Sequence, residues 1–339
     1  MLKIEKHKIL APYTSLQVGS AADFFAVIQE KSDLLEAINW AKLNHQPIFV
    51  LGGGSNVLIT KRFKGLVLKN ELRGFSLDKI SKNSALISAR SGETWSKFVN
   101  FAVVNNFYGA ENLFLIPGTV GAAPVQNIGA YGVELKDIFV SLQAINLKTG
   151  AEKIFFASDC RFAYRQSIFK DRLKGKYFIY SVTLRLQRVA KFKLNYGAIT
   201  AELAKKNITK PDLRAVIQII QEIRNNKLPN PAILPNAGSF FKNPEISPAV
   251  FKRLIKKHPA MPFFPGSQKK VKLSAGWLIE QTGWKGKNLG PVGMYEKQAL
   301  VLVNHGQADA RQILALVKKV KSAVRQKFGL DLQEEVNII

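Results

Sequence analysis

The strongest restriction on the fold of this chain comes from residues 23–51. Apolar residues predict a strand over 23–28, helical spacing predicts a helix over 34–43, and a second apolar run predicts a strand over 47–51. Together the three elements have the size of a βαβ unit. We therefore expect an α/β fold at the start of the chain.

A glycine triplet follows this unit directly, in the sequence Gly52-Gly53-Gly54-Ser55-Asn56. Because glycine has no Cβ, the backbone N–H groups of such a turn can approach a phosphate, and Ser55 and Asn56 could add side-chain hydrogen bonds. The spacing matches neither the G-x-G-x-x-G fingerprint nor a P-loop. On spacing alone, an ordinary tight turn explains the triplet equally well.

A second predicted α/β unit bears on the choice between a phosphate site and an ordinary tight turn. A strand is predicted over residues 85–89, an amphipathic helix from 94 to about 105, and a long glycine-rich turn between Ile116 and Gly132. Two glycine-rich turns at the ends of two such units could clamp a diphosphate between subdomains. The second turn therefore favours a phosphate site.

The remaining pattern indicates more strands and a separate C-terminal region. Strands are predicted over 139–146, 153–156, 178–186 and 299–303, and helices over 212–225, 248–257, 274–282 and 309–328. A proline-rich stretch from about 231 to 266 predicts the entry to a further domain. Gly329 is expected to end the last helix before a final strand.

The charge of the chain is strongly positive. Lysine and arginine total 50 against 24 acidic residues, which gives a formal net charge of +26 and leaves a nucleic-acid partner as an alternative. The basic residues are spread along the whole chain, whereas nucleic-acid binders usually concentrate them in a stripe or tail. Anionic ligands that carry several phosphates would also be attracted by such a field.

Composition restricts other functions. One cysteine, Cys160, excludes an intramolecular disulfide, and the four histidines show no metal-ligand spacing, so no metal is expected. The chain begins without the apolar stretch of a signal peptide, and no run of about 18 apolar residues predicts a membrane span. We expect a soluble, cytoplasmic protein without membrane insertion.

Three polar side chains are candidates for chemistry. Ser239 lies in a small-residue turn without a nucleophile elbow, so a proton donor is a better hypothesis than a hydrolase nucleophile, with an ordinary turn serine as the alternative. Glu334 and Glu335 would point to opposite faces of an extended segment, and the apolar anchor Leu332 favours Glu335 as the inward carboxylate. Arg165 lies in a segment too apolar for a loose exposed loop.

Together these segments resemble the UDP-N-acetylenolpyruvoylglucosamine reductases, also called UDP-N-acetylmuramate dehydrogenases. These flavoenzymes of peptidoglycan precursor synthesis serve cell wall biogenesis, cell shape and cell division. The resemblance runs from about Tyr13 to the last residue. It implies bound FAD held in a fold of the vanillyl-alcohol-oxidase type. The implied cofactor residues are Gly19, Gly52, Gly53, Gly54, Ser55, Asn56, Pro117, Gly118, Thr119, Gly121, Ala122, Gln126, Asn127, Gly129 and Tyr131.

The resemblance also implies a catalytic set and a substrate set. Arg165 would bind the substrate carboxylate, Ser239 would protonate the substrate carbon, and a protonated Glu335 would stabilise the developing charge. The implied substrate residues are Tyr131, Tyr196, Lys227, Asn243 and Phe264. NADPH would reduce FAD, and NADP+ would then leave. The UDP-linked enolpyruvyl sugar would bind in the place of the nicotinamide cofactor.

The chain departs from the family pattern near its end and in one loop. The family commonly has proline before the terminal glutamate and arginine two residues after it, where this chain has Glu334 and Asn337. The loop of the longer-loop form carries a mobile tyrosine in the family, and Phe264 occupies that position here. A phenyl ring can cover a diphosphate but cannot hydrogen-bond to it.

The predicted architecture is a multidomain mixture of α/β and α+β folds. Residues 1–68 form FAD-binding subdomain 1, residues 69–228 form subdomain 2, completed by 329–339, and residues 229–328 form an α+β domain that binds the UDP-sugar. We expect a monomer that binds no nucleic acid. An oxidase of the same fold that acts on another sugar or alcohol remains an alternative.

Overall fold

A computed structural model describes residues 2–339, and their contacts divide the chain into two units. The first unit comprises residues 2–8, 21–54 and 63–225, and the second comprises 9–20, 55–62 and 226–339. The functional division into three domains stays a prediction. Within residues 2–339, no helix is both long and apolar enough to cross a lipid bilayer.

Short strands alternate with helices along the chain. The strands are β1 (Glu5–Ile9), β2 (Ala21–Ile28), β3 (Ile48–Leu51), β4 (Val57–Leu58), β5 (Phe63–Asn70), β6 (Phe75–Ile80), β7 (Ser84–Arg90), β8 (Gly129–Ala130), β9 (Val133–Glu134), β10 (Phe139–Asn146), β11 (Glu152–Phe156), β12 (Tyr177–Gln187), β13 (Asn236–Ser239), β14 (Glu245–Ile246), β15 (Phe263–Pro265), β16 (Val271–Leu273), β17 (Asn288–Leu289), β18 (Val292–Met294), β19 (Val301–Asn304) and β20 (Asn337–Ile338).

The α-helices are α1 (Lys31–Leu43), α2 (Trp95–Val104), α3 (Ala157–Cys160), α4 (Gly197–Lys205), α5 (Leu213–Lys227), α6 (Pro248–Lys257), α7 (Ala275–Gln281) and α8 (Ala310–Phe328). Short 3₁₀ helices lie at Ala11–Tyr13, Glu111–Leu113, Val120–Gln126 and Leu135–Asp137. The long predicted helices are confirmed. Helices α3 and α4 are additional to the prediction.

The first sheet confirms the predicted strand–helix–strand unit and adds a strand inside it. Its order is β1-β2-β5-β3, and β5 pairs in parallel with both β2 and β3. A side chain at the start of α1 closes a capping box between Glu30 and Asp33. Apolar residues of α1 and the sheet then form one buried cluster, which includes Ile28, Leu34 and Leu66.

The second sheet of the first unit is antiparallel, in the order β11-β10-β12-β7-β6. Helices α2 and α5 contribute buried side chains, among them Trp95, Phe98 and Ile220, to a cluster with residues of this sheet. Burial of such large side chains stabilises a fold by about 1.5–3 kcal/mol each. The cluster also contains Val120 and Ala123, so the second glycine-rich turn is packed into this hydrophobic core.

The second unit contains a sheet in the order β13-β19-β18-β17, a smaller sheet β14-β16-β15, and the parallel pair β20-β4. Helix α8 begins with a capping box at Asp309 and ends at Gly329, whose φ is 70°. The terminal segment packs here, because Leu332 and Val336 are buried in the core of this unit. Its predicted strand is shorter than expected and covers only Asn337–Ile338.

Candidate active site

The two glycine-rich turns lie against each other within the first unit. A Cβ atom built on Gly52 would lie 2.8 Å from Thr119 Oγ1, and one built on Gly53 would lie 3.0 Å from Gly118 Cα. Gly54 has a φ of 65°, which side chains rarely adopt. The sequence therefore places glycine where the turns approach each other most closely.

Thr119 brings an unsatisfied polar atom to this contact. The residue is buried, and its Oγ1 has no hydrogen-bond partner among residues 2–339. Leaving a buried hydroxyl unpaired costs about 1–3 kcal/mol. Its place beside the Gly52 position makes it a candidate hydrogen-bonding group for a ligand at the turns.

Gly121 has a structural task in this turn. Its N–H donates to the Ser91 carbonyl oxygen at 2.9 Å, and a Cβ atom would lie 2.5 Å from Ser91 Cβ. The N–H of Ala122 donates to the Thr119 carbonyl oxygen at 3.0 Å. Gly121 is therefore needed for close packing against residue 91, and its role as a cofactor residue stays a prediction.

Gln126 and Asn127 connect this turn to the segment that carries Arg165. The amide nitrogen of Asn127 donates to Ala163 O at 3.1 Å and to Glu134 Oε2 at 3.0 Å, while its amide oxygen accepts from the Lys136 N–H at 3.0 Å. Both the nitrogen and the oxygen of the Asn127 side-chain amide therefore hydrogen-bond to groups of the protein itself. Gln126 Oε1 accepts from Lys170 Nζ at 3.1 Å.

Arg165 is held at the far end of the same turn. Its backbone has a φ of 52°, and its Nη1 donates to the Gly129 carbonyl oxygen at 3.1 Å. The guanidinium carbon lies 5.9 Å from the centroid of the Tyr164 ring. The structure therefore brings Arg165 and the glycine-rich turn together.

Tyr131 and Tyr196 form an aromatic pair in the first unit. Their ring centroids are 5.4 Å apart at an interplanar angle of 86°. Burial raises the pKa of the Tyr131 hydroxyl above its usual range, and the nearby Arg224 opposes that rise in pKa. The phenol is therefore a neutral hydrogen-bonding group at physiological pH.

Ser239 and Glu335 come from segments that lie side by side in the second unit. The Glu335 N–H donates to Phe240 O at 2.8 Å, and Phe241 forms an antiparallel bridge with Glu334. One residue further, the Lys242 N–H donates to Gln333 O at 2.8 Å. Backbone pairing thus brings two segments together that are about 96 residues apart in sequence.

The two adjacent carboxylates have different surroundings. Glu334 forms an ion pair with Lys321 on α8, with an Oε1 to Nζ distance of 2.8 Å. Glu335 is buried, with 8% of its surface exposed. Asn56 Nδ2 donates to the Glu335 carbonyl oxygen at 3.4 Å. The burial of Glu335 and the partly exposed ion pair of Glu334 favour Glu335 as the candidate carboxylate.

Four other predicted residues are placed as follows. A Cβ atom on Gly19 would lie 2.9 Å from the backbone nitrogen of Ala11, so close packing alone requires glycine there. Asn243 Oδ1 accepts from the Ala275 N–H at 2.9 Å, at the start of α7. Lys227 is the last residue of α5, and Phe264 lies on an exposed hairpin.

Comparison with known proteins gives two family models and close relatives over the whole chain. The C-terminal domain of UDP-N-acetylenolpyruvoylglucosamine reductase matches residues 230–339, and an FAD binding domain matches residues 22–153. The chain is 43% identical to the UDP-N-acetylenolpyruvoylglucosamine reductase of Flavobacterium johnsoniae over 100% of both chains. It is 42% identical to that of Pseudomonas aeruginosa over 99% of both.

The chain belongs to the UDP-N-acetylenolpyruvoylglucosamine reductase family. A crystal structure of UDP-N-acetylenolpyruvylglucosamine reductase from Thermus caldophilus has the same fold, with a TM-score of 0.70 and 23% identity over 100% of this chain and 99% of the other. The predicted family is confirmed. So is the predicted combination of an FAD binding domain with a C-terminal domain of this family.

FAD, the cofactor of this reductase family, fits the residues of the first unit. The glycine turns form a concave site that a Cβ atom would fill. The buried Thr119 hydroxyl at this site has no hydrogen-bond partner among residues 2–339. Lys69 Nζ fixes the turn by donating to the Gly52 carbonyl oxygen at 2.8 Å. Among residues 2–339, no group of three or more His, Cys, Asp or Glu side chains could hold a metal ion.

Replacement of Gly53 by valine is expected to weaken FAD binding roughly ten- to a hundredfold. Even the first side-chain carbon would lie 3.0 Å from Gly118 Cα, so one of the two turns must move, and such overpacking costs about 1–3 kcal/mol. Flavin titration of the apoprotein measures the loss. Gly197→Val is the control, because a Cβ there meets nothing within 4 Å. Equal FAD affinity in both variants would show that Gly53 is an ordinary turn residue.

Sequence patterns do not predict three residues of this reductase's candidate site: Lys69, Arg224, and Asn112, whose Nδ2 donates to Tyr131 O at 2.9 Å. The apolar face of α5 carries a signal for Arg224, since Leu213, Ile217 and Ile220 continue into position 224 at helical spacing. An arginine on such a face needs a partner inside the protein. Lys69 and Asn112 carry no comparable pattern.

Proposed function

We propose that this chain reduces the enolpyruvyl ether of UDP-N-acetylglucosamine to UDP-N-acetylmuramate, a step of peptidoglycan precursor synthesis, with NADPH as reductant and bound FAD. The observation that carries the proposal is identity above 40% to reductases of this name over the full length of both chains. The paired segments of Ser239 and Glu335 are consistent with it.

FAD provides the redox chemistry, and the glycine turns provide its binding site. When bound, FAD supplies the reversible hydride chemistry that links NADPH to the substrate. The turn at Gly52 and Gly53 would admit the backbone to the cofactor diphosphate, and the Thr119 hydroxyl would be a hydrogen-bonding group for it. Lys69 keeps the first turn in place through the Gly52 carbonyl.

Arg165 recognises the substrate carboxylate. A guanidinium can bind a carboxylate through two parallel hydrogen bonds. As the substrate double bond is reduced, negative charge builds on the carbon next to the carboxylate and on the carboxylate itself. A fixed positive group at that place lowers the barrier, because electrostatic stabilisation acts where charge develops. The hydrogen bond from Arg165 Nη1 to Gly129 O orients the guanidinium for this role.

Ser239 delivers the proton that completes the reaction. The substrate carbanion is a strong base, so a hydroxyl can serve as its acid when another group resupplies the proton. Glu335, in its acid form, stabilises the developing charge. The backbone hydrogen bond between Glu335 and Phe240 fixes the carboxyl segment against the residue next to Ser239.

The test is the reaction itself, followed through both product and cofactor. Purified protein should carry releasable FAD, and it should oxidise NADPH in proportion to added UDP-linked enolpyruvyl sugar, with a lactyl ether as product. An oxidase acting on another sugar or alcohol would instead consume oxygen with that substrate. A colourless protein that cannot be reconstituted with FAD would refute the proposal and leave nucleic-acid binding as the alternative to examine.

The same proposal includes a monomeric, cytoplasmic enzyme. Its UDP-sugar substrate and NADPH are both cytoplasmic metabolites in such a pathway. Size-exclusion chromatography with light scattering measures the oligomeric state. A stable dimer would contradict the monomer.

A further inference from the structure

Three charged side chains form an ion-pair chain at the end of strand β5. Lys69 Nζ donates to the Gly52 carbonyl oxygen at 2.8 Å and lies 2.8 Å from Glu71 Oε1. Glu71 Oε2 accepts a hydrogen bond from Arg73, whose Nη1 donates to the Gly92 carbonyl oxygen. Glu71 therefore joins a cation that holds the first glycine-rich turn to a cation that holds residue 92.

Residues 91–93 in turn hold the second glycine-rich turn. The Gly121 N–H donates to the Ser91 carbonyl oxygen at 2.9 Å, and the Val120 N–H donates to the Glu93 carbonyl oxygen at 2.8 Å. The position of the second turn therefore depends on the position of residues 91–93. A contact that fixes these residues also fixes the turn.

Two further hydrogen bonds attach residues 69–74 to the same segment. Asn70 Nδ2 donates to Ser91 Oγ at 2.8 Å, and both residues are buried. The N–H of Gly74 donates to Glu93 Oε1 at 2.9 Å. The stretch that carries the ion-pair chain thus contacts the first glycine-rich turn through Lys69 and the support of the second turn through several groups.

We propose that Glu71 is a positioning residue for FAD binding, and that the ion-pair chain keeps the two glycine-rich turns at a fixed separation. The proposal rests on the proposed function, which places the FAD diphosphate at these turns. A site that is already held in its binding conformation loses less freedom when the ligand binds, so its affinity is higher. A carboxylate suits this role because each of its two oxygens can accept from a different cation.

The surroundings of Glu71 keep its carboxylate charged. The exposed fraction of the side chain is 28% for Glu71 and 14% for Lys69. Burial alone would raise the pKa of Glu71, but the hydrogen bonds and positive charges of Lys69 and Arg73 hold this pKa below its ordinary value. Both ion pairs are therefore present at neutral pH. Isolated surface pairs contribute little, whereas this chain ends on backbone carbonyl groups at both sides.

Flavin titration of the apoprotein tests the proposal. Glu71→Gln keeps the size of the side chain but removes its charge, and it should weaken FAD binding about tenfold, as should Lys69→Met. The combined variant should also lose about tenfold, because breaking either link already releases the separation between the turns. Lys69→Arg retains a cationic donor and should recover part of the loss. Lys206→Met is the control, since it breaks a partly exposed ion pair with Glu222 in the same unit.

Hydrogen exchange of the apoprotein provides a measurement that requires neither flavin nor activity. In Glu71→Gln, the N–H groups of Val120 and Gly121 should exchange faster, because residues 91–93 are held less firmly. Peptides from β10 and β12 should exchange at an unchanged rate, since local opening leaves the rest of the unit intact.

Three results would overturn the proposal. An FAD affinity of Glu71→Gln within about twofold of the unchanged protein would show that the chain does not position the site, and a loss of about a hundredfold in the combined variant would show that the two residues act independently. Faster exchange in β10 and β12 as well would indicate general destabilisation. Failure of the proposed function is a different result, because the unchanged protein then binds no FAD while hydrogen exchange still reports on the ion-pair chain.

Discussion

Ser239→Ala is expected to slow reoxidation of the reduced flavin by the enolpyruvyl sugar about a thousandfold. Loss of a positioned general acid typically costs 10²–10⁴-fold, and no histidine lies near Ser239 in sequence to replace it. Reduction of the flavin by NADPH should stay near normal, because that half-reaction delivers no proton to a substrate carbon. Stopped-flow absorbance separates the two half-reactions.

Two companion variants sharpen this experiment. Ser239→Cys keeps a transferable proton and should retain more activity than alanine. Ser322→Ala removes an exposed hydroxyl on α8 of the same unit and should leave both half-reactions unchanged. Equal slowing of both half-reactions in Ser239→Ala would instead indicate that the serine positions the cofactor.

Glu335→Gln is expected to slow the same half-reaction about a hundredfold. Removal of one group that stabilises developing charge commonly costs 10²–10³-fold, and glutamine retains the size and the hydrogen-bonding ability of the acid. The flavin should again be reduced by NADPH at a near-normal rate. Binding of UDP-sugar to the oxidised protein, measured by flavin absorbance, should change little.

Glu334→Gln is the matched control for that variant. Glu334 forms a partly exposed ion pair with Lys321, and such pairs contribute about 0–1 kcal/mol. The change should therefore be close to neutral in both half-reactions. A larger defect in Glu334→Gln than in Glu335→Gln would show that the other carboxylate acts in the reaction.

The structure accounts locally for both departures from the family pattern at the end of the chain. Glu334, where the family commonly has proline, pairs with Lys321. Asn337, where the family commonly has arginine, donates from Nδ2 to Asn56 O at 3.0 Å. Both partners belong to the second unit, so the terminal segment is held without the usual residues.

Much of this protein follows from local features of its sequence. Apolar periodicity predicts α1, α2, α5 and α8, because one face of each helix must be buried. The glycine-rich turns follow from backbone geometry that only glycine tolerates, as at Gly54. Residue types also limit the chemistry: a lone cysteine cannot form a disulfide, and a serine without a nucleophile elbow is a poor hydrolase candidate.

Contacts between distant segments were decided only by the tertiary structure. Strand β5 lies between β2 and β3. The Gly121 N–H donates a hydrogen bond to the Ser91 carbonyl oxygen, and Lys321 forms its ion pair with Glu334 rather than with Glu335. Arg224 reaches the Leu115 carbonyl oxygen for the same reason. Sequence periodicity states which face of an element is buried, but the partner on the other side depends on how all the buried faces fill space together.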